Sequence, residues 1–135
     1  MNIAKLLAEY IKSKITCKEV YYSSLPPGDE AVCIYEYDSQ KPQNASLPGI
    51  TLVAFKIVCR TKEYNTCHAL SQETANLLKN TGNELWGSKP LLLDECEFIL
   101  ISPRGTPDIK RETESGNIRI AAHFHAWVRK RREAA

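Results

Sequence analysis

Alternation of apolar and polar residues predicts four β-strands in this chain. The segments that show it are 31–37, 50–60, 96–103 and 118–130. In the last of these, every second residue from Ile118 to Val128 is apolar and is expected to face a core. In 50–60 both sets of alternating residues are substantially apolar, which is typical of a strand that is covered on both sides. We therefore predict that 50–60 is a central strand of its sheet.

Two other segments show helical periodicity. In 2–13, apolar residues recur at intervals of three and four, and they are Ile3, Leu6, Leu7, Tyr10 and Ile11. In 61–80, Thr61 is the expected N-cap and Gly82 follows the expected end. The predicted inward stripe of this second helix contains Tyr64, Cys67, Leu70 or Ser71, Thr74, Leu77 and Leu78. The order of elements predicts an α+β fold, with a single mainly antiparallel β-sheet and two helices packed on one side.

Length and composition favour one domain, residues 1–135, since 43% of the residues are hydrophobic and 25% are charged. No apolar run approaches the roughly 20 residues that a membrane-spanning helix needs, and no membrane contact is expected. The five cysteines are odd in number and form no C-x-x-C pair. Cys33 and Cys59 lie in strand-like apolar runs, so we expect reduced thiols in a cytosolic compartment.

The net charge of +2 is unevenly distributed. Four basic residues fall in a C-terminal tail, 129–135, and the rest of the chain has a slight acidic excess. Any contact with nucleic acid would therefore use phosphates and the tail. The residues concerned are Arg129, Lys130, Arg131 and Arg132. A solvated, frayed terminus is the alternative interpretation.

The stretch "HFHAW" at 123–127 raises the possibility of a zinc site. His123 and His125 share one face of a strand, but a third ligand is missing nearby. Cys67 and His68 are adjacent on a predicted helix, where neighbouring side chains diverge by about 100°. The sequence also lacks G-x-S-x-G, H-E-x-x-H and a Gly-rich phosphate loop. We therefore expect no catalytic residues, no metal and no cofactor, and a zinc-dependent or thiol enzyme is the least favoured function.

The polar side of the last strand favours a protein interface instead. Arg119, His123, His125 and Trp127 fall opposite the predicted core residues, and Trp and Arg are enriched at such interfaces. Lys56 and Arg60 occupy the corresponding side of 50–60. These residues are the predicted subunit or partner interface, with plain exposure to solvent as the alternative.

The segment "GITLVAFKIVCRTKEYNTCHALSQETANLL" (49–78) resembles the central strand and helix of a family of bacteriophage proteins. These are the tail terminator, or tail-completion, proteins of long-tailed phages, often labelled minor capsid or minor tail proteins. The strand ends at Arg60, a short turn closes on Tyr64, and an Ala- and Leu-rich helix follows. "LPPGDEAVCIYEYDSQKP" and "SPRGTPDIKRETESGNIRIAAHFHAWV" are similar to the family's flanking segments.

The resemblance implies a fold like that of the phage lambda tail terminator. Such proteins assemble, usually as a hexameric ring, on the head-proximal end of the tail tube. The ring ends tube polymerisation and allows head-tail joining, so the implied partners are other copies of the chain, the tail tube protein and a neck or head-closure protein. The implied location is the virion, reached from the host cytoplasm during assembly. The long polar segments 38–49 and 104–117 are expected to contact the tube or the neck.

Two other functions remain open at the level of the sequence. One is a neck or head-closure component, which would share the virion location without ending the tube. The other is a small nucleic-acid-binding module that uses the basic tail.

Overall fold

The computed structural model describes residues 2–37, 50–80 and 90–130, apart from the side chains of Asn80 and Lys130. Within these residues the chain forms two helices and seven strands. The helices are α1 (Ile3–Lys14) and α2 (Tyr64–Asn80). The strands are β1 (Val20–Tyr22), β2 (Ala31–Glu36), β3 (Ile50–Thr61), β4 (Leu91–Leu93), β5 (Cys96–Pro103), β6 (Asp108–Arg111) and β7 (Ile118–Lys130).

All seven strands belong to one sheet, in the order β1-β2-β3-β7-β5-β4, and β6 pairs with the first part of β7. Only β1 and β2 run parallel among the described strand pairs, and the others are antiparallel. The predicted α+β class with a mainly antiparallel sheet is therefore confirmed. The central position predicted for 50–60 is also confirmed, because β3 lies between β2 and β7.

Both helices pack on the same side of the sheet. α2 contacts β3, β5 and β7 in the middle of the sheet. α1 contacts β1 and β2 near one edge and β4 at the other edge. Since β1 and β4 are the two ends of the strand order, the sheet is curled around the helices. The side chain of Asn2 caps α1 by accepting a hydrogen bond from the backbone N–H of Lys5, at 3.0 Å.

The main core lies between the helices and the sheet. Phe55 and Phe124 face each other across β3 and β7, with stacked rings whose centroids are 5.3 Å apart. The predicted apolar set of the last strand is buried throughout, from Ile118 to Val128. Cys67 of α2 also reaches this core, where its thiol donates to the carbonyl oxygen of Cys59 at 3.1 Å. The alternation in 118–130 therefore predicted correctly which residues of β7 face the core.

The start of the second helix was predicted wrongly. Thr61 is the last residue of β3, paired with Ile118, and its hydroxyl donates to the carbonyl oxygen of Glu63 at 2.7 Å. α2 begins only at Tyr64, so Thr61 is not its N-cap. Tyr64 is 45% exposed and does not join the inward stripe. Because β3 pairs with β7 as far as Thr61, the chain stays extended beyond the point at which the local sequence predicts a helix.

Three short strands were not predicted, namely β1, β4 and β6. β6 lies inside the segment 104–117, which was expected to be a loop, and pairs with β7 from Asp108 to Arg111. β7 continues to Lys130, so Arg129 and Lys130, the first two residues of the predicted tail, belong to the sheet. Arg131, Arg132, Gly82 and the predicted loop 38–49 lie outside the described residues. In the described part of the chain, neither helix has the length and apolar character that crossing a bilayer requires.

Candidate functional site: the outer face of the sheet

The side of the sheet that faces away from the helices is called here the outer face. All six residues predicted to form an interface lie on it, because the pleat of β3 and β7 alternates them with core residues. The register also brings members of this set together: Lys56 lies opposite His123, and Arg60 lies opposite Arg119. The sequence predicted that these residues share one side of their strands. It did not predict how the two strands pair.

His123 is the centre of a hydrogen-bonded group in the middle of the outer face. Its Nε2 lies 2.8 Å from a carboxylate oxygen of Asp108, and its Nδ1 is in hydrogen-bond contact with the hydroxyl of Tyr37. The rings of Tyr37 and His123 are also nearly parallel, with centroids 5.9 Å apart. Asp108 is the first residue of β6 and Tyr37 directly follows β2, so two separate segments hold the imidazole in one orientation.

Lys56 adds a positive charge beside this group. Its ammonium lies 5.1 Å from the centroid of the Tyr35 ring and 5.9 Å from that of Tyr37, which are distances typical of cation–π contacts. Burial lowers the pKa of His125, and the nearby charge of Arg104 lowers it further. His125 is therefore held toward its neutral form.

An apolar area occupies the end of the outer face near the end of β7. Leu52, Trp127 and Leu100 lie side by side on β3, β7 and β5, and all three are half-buried. Leu92 on the edge strand β4 belongs to the same face and is 48% exposed. We call Leu52, Leu92, Leu100 and Trp127 the apolar patch. An exposed apolar patch beside ordered polar groups is typical of a surface that another protein covers.

The opposite end of the outer face is covered by the chain itself. Arg60 is only 3% exposed because the segment 23–30 crosses above it, and a terminal nitrogen of its guanidinium donates to the carbonyl oxygen of Pro26 at 2.6 Å. Arg60 is therefore on the predicted face but not on its accessible part. Arg119 remains half-exposed and is paired with Glu112.

Several residues of this face were missed by sequence reasoning. They are Tyr35, Tyr37, Asp108, Arg104, Leu52, Leu92 and Leu100. Tyr35 and Tyr37 could have been found from the alternation in 31–37, which places them on the same side of the chain. Their contact with His123 and Lys56 depends on the register of β2 and β3, which alternation alone does not determine.

The described part of the basic tail is structured. Arg129 donates from Nε to a carboxylate oxygen of Glu97 at 2.6 Å, so its charge is already balanced within the sheet. The backbone of Lys130 pairs with Cys96. The prediction that these residues contact nucleic acid stays untested, but Arg129 is less available for phosphates than a free tail residue would be.

The residues weighed for a zinc site lie apart. Cys67 is buried and His68 is exposed, stacked on Tyr64, so the predicted divergence of the two side chains is confirmed. All five cysteines are buried free thiols. Across 2–37, 50–80 and 90–130, no group of three or more His, Cys, Asp or Glu side chains is arranged to hold a metal ion.

No protein-family model and no curated protein sequence matches the chain. A solved structure with a similar fold is a chain of the "virion of native gene transfer agent (GTA) particle". The similarity covers 91% of this chain and 84% of that chain, with a TM-score of 0.59 and 18% sequence identity. The chain therefore has the fold of a protein that is part of a virion.

Proposed function

We propose that the protein is a structural subunit of a phage-like particle and forms the ring that ends the tail tube at its head-proximal end. The observation that carries the proposal is the shared fold, which spans nearly the whole of this chain and belongs to a virion component in the other structure. The resemblance of 49–78 to tail terminators supports the finer assignment to the tail.

The distribution of side chains on the outer face suits this role. In a ring, one patch of each subunit meets a different patch on its neighbour, so each chain needs two unlike adhesive surfaces. The apolar patch supplies an area that gains free energy on leaving water. The group of Tyr37, Lys56, His123 and Asp108 supplies oriented polar contacts that favour one partner over others. Joining of the ring to a tube and a neck then follows from shape and contact, without a chemical step.

The proposal is tested by the length of tails made with and without this protein. Tails assembled in its absence are expected to have uncontrolled lengths in electron micrographs, and normal lengths should return when the protein is supplied. Tails of normal length that fail to join heads would contradict the terminator role and indicate the neck or head-closure alternative. Tails of normal length that join heads normally would contradict both.

The interface is tested by replacing Trp127 with alanine, because this removes the largest side chain of the apolar patch. The Trp127→Ala variant is expected to shift the assembled ring toward monomers in light scattering of the protein bound to tail tubes. Tyr64→Ala is the matched control, since it removes an aromatic ring that is exposed on α2, away from the outer face. Equal losses of assembled mass in both variants, or none in either, would contradict the assignment of the patch.

A further inference from the structure

An open cleft of about 620 Å³ lies between the segment 23–30 and the hairpin formed by β6 and β7. The segment 23–30 contributes Leu25, Pro26 and Pro27, and the hairpin contributes Lys110, Arg111 and Arg119. Arg60 reaches the cleft from β3 and is its most buried charged residue. The cleft is separate from the apolar patch, which lies at the other end of the outer face.

Arg60 is buried, and one of its hydrogen-bond donors is unused. One terminal nitrogen donates to the carbonyl oxygen of Pro26, but the Nε–H has no hydrogen-bond partner. Among the described residues, Arg60 forms no ion pair. Burying a charge in this way is unfavourable unless a counter-charge and further hydrogen bonds are supplied. The unused donor therefore points to a ligand that completes the site.

The neighbouring acid, Glu112, feels the charge of Arg60, but its direct hydrogen bonds are with other groups. Glu112 is bound by Arg119 through Nε at 2.6 Å and accepts a hydrogen bond from the hydroxyl of Ser115 at 2.8 Å. Burial raises the pKa of Glu112, but the hydrogen bonds from Ser115 and Arg119 and the charges of Arg119 and Arg60 outweigh it, so the net direction is downward. Glu112 is thus ionised and already occupied, and the basic residues of the cleft outnumber its acidic ones.

The walls of the cleft are held in place before any ligand arrives. The amide of Asn117, itself buried, donates to the carbonyl oxygen of Gly28 at 3.3 Å. Gly28 has a φ of +143°, a conformation that residues with a side chain rarely adopt. On the hairpin, Arg111 donates to the carbonyl oxygen of Gly116 at 3.0 Å. A preformed site of this kind loses little conformational entropy on binding.

We propose that this cleft binds a carboxylate side chain from an acidic segment of another protein chain, with Arg60 as the main donor. A planar guanidinium matches a carboxylate with parallel hydrogen bonds, and the apolar groups of Leu25 and the two prolines can pack against the aliphatic part of the segment. A single negative charge fits better than a phosphate group, because Glu112 and Glu114 also line the cleft and repel a more highly charged anion. This inference does not depend on the ring, because the cleft lies at the opposite end of the outer face from the apolar patch.

The test is an NMR titration of the full chain with an acetylated, amidated Leu-Gln-Glu-Leu peptide, which carries one carboxylate. The Arg60 Nε–H signal and the backbone amides of Gly28 and Asn117 are expected to shift and saturate. The same peptide with glutamine in place of glutamate should bind at least about tenfold more weakly, since charge-assisted hydrogen bonds are lost. Inorganic phosphate is the third probe and is expected to bind more weakly than the acidic peptide.

Two variants link the binding to Arg60. Arg60→Gln should weaken binding of the acidic peptide by about tenfold or more. Arg60→Lys keeps the charge without the planar fork and should give an intermediate loss, which also covers the case that Arg60→Gln does not fold. Arg104→Gln is the matched control, because it removes an exposed arginine that does not line the cleft.

Three outcomes would overturn the proposal. One is the absence of saturable shifts with the acidic peptide. Another is tighter binding of phosphate than of the peptide, which would make the cleft a phosphate site. The third is an equal loss of binding in Arg104→Gln, which would indicate general attraction to positive charge and no defined site.

Discussion

The two faces of the sheet are built from the same strands but differ in what stabilises them. On the helix-covered face, β3 and β7 place Phe55 against Phe124, and both rings are buried. On the outer face the same strands place Lys56 against His123 and Leu52 against Trp127, and these side chains stay half-buried. The first face is complete within one chain. The second has oriented polar groups and an apolar patch that a single chain leaves partly uncovered, so it is better suited to binding than to folding.

The comparison is tested most strongly by removing one aromatic ring from each face. Phe55→Ala is expected to lower the free energy of unfolding by about 3–5 kcal/mol, because it leaves a cavity in the core. Trp127→Ala should cost only about 1–2 kcal/mol in the isolated chain, since its ring is half-exposed. Urea denaturation measures the free energy of unfolding of both variants and of the unchanged protein.

If Phe55→Ala does not fold, Phe55→Leu is compared with Trp127→Leu, and the change in the core should cost more than the change on the half-exposed ring. Equal costs for the two faces would show that the outer face also belongs to the core.

The buried thiol of Cys59 should make the stability of the fold depend on alkaline pH. Burial raises the pKa of Cys59 from 9.0 to about 12, and the neighbouring Cys67 contributes in the same direction. The unfolded chain therefore loses this proton at lower pH than the folded chain, so the free energy of unfolding should fall as the pH rises from about 9 toward about 12. The loss from this one group would be up to about 4 kcal/mol.

Cys59→Ala is the control for that measurement, because other groups also titrate at high pH. The decline should be shallower in this variant. Coinciding pH profiles would mean that Cys59 is not shielded as the structure describes.

The covered end of the outer face is expected to depend on Asn117. Asn117→Ala removes the hydrogen bond to the carbonyl oxygen of Gly28, within the segment 23–30, and leaves that carbonyl without this partner, at a cost of about 1–2 kcal/mol. Hydrogen exchange in 23–30 should accelerate more than exchange in the core strands. Asn76→Ala, at an exposed position on α2, is the matched control and should leave exchange in 23–30 unchanged.

The smallest expected effect concerns His125. Since burial and Arg104 both lower its pKa, the folded chain binds a proton at lower pH than the unfolded chain does. The free energy of unfolding should therefore decrease as the pH falls below 6.5. His125→Asn should remove this part of the pH dependence.

An NMR titration of the ring checks the cause directly. Arg104→Gln should move the pKa of His125 back toward its usual value. A pKa that stays unchanged in this variant would contradict the contribution of Arg104.

Much of the core was predictable because strand periodicity is local. The alternation in 118–130 identified every buried residue from Ile118 to Val128, and the two apolar sides of 50–60 identified the central strand. The errors came where long-range pairing competes with local preference. Thr is a preferred residue at the N-cap of a helix, but Thr61 pairs with Ile118 and therefore belongs to β3.

The short strands were missed for a related reason. β1 and β4 have three residues each, too few to show a period, and are strands because a neighbour pairs with them. β6 is entirely exposed, with Asp108, Lys110 and Arg111 among its four residues, so no hydrophobic signal marks it.

The sequence by itself determined the α+β class, the buried side of each long strand and the common side of the predicted interface residues, because these follow from spacing within one segment. Tertiary structure alone decided which of those residues meet. His123 meets Tyr37 and Asp108, Lys56 meets Tyr35, and Arg60 is buried under Pro26. Register and loop path place these groups, and both are set by contacts between segments that are distant in the sequence.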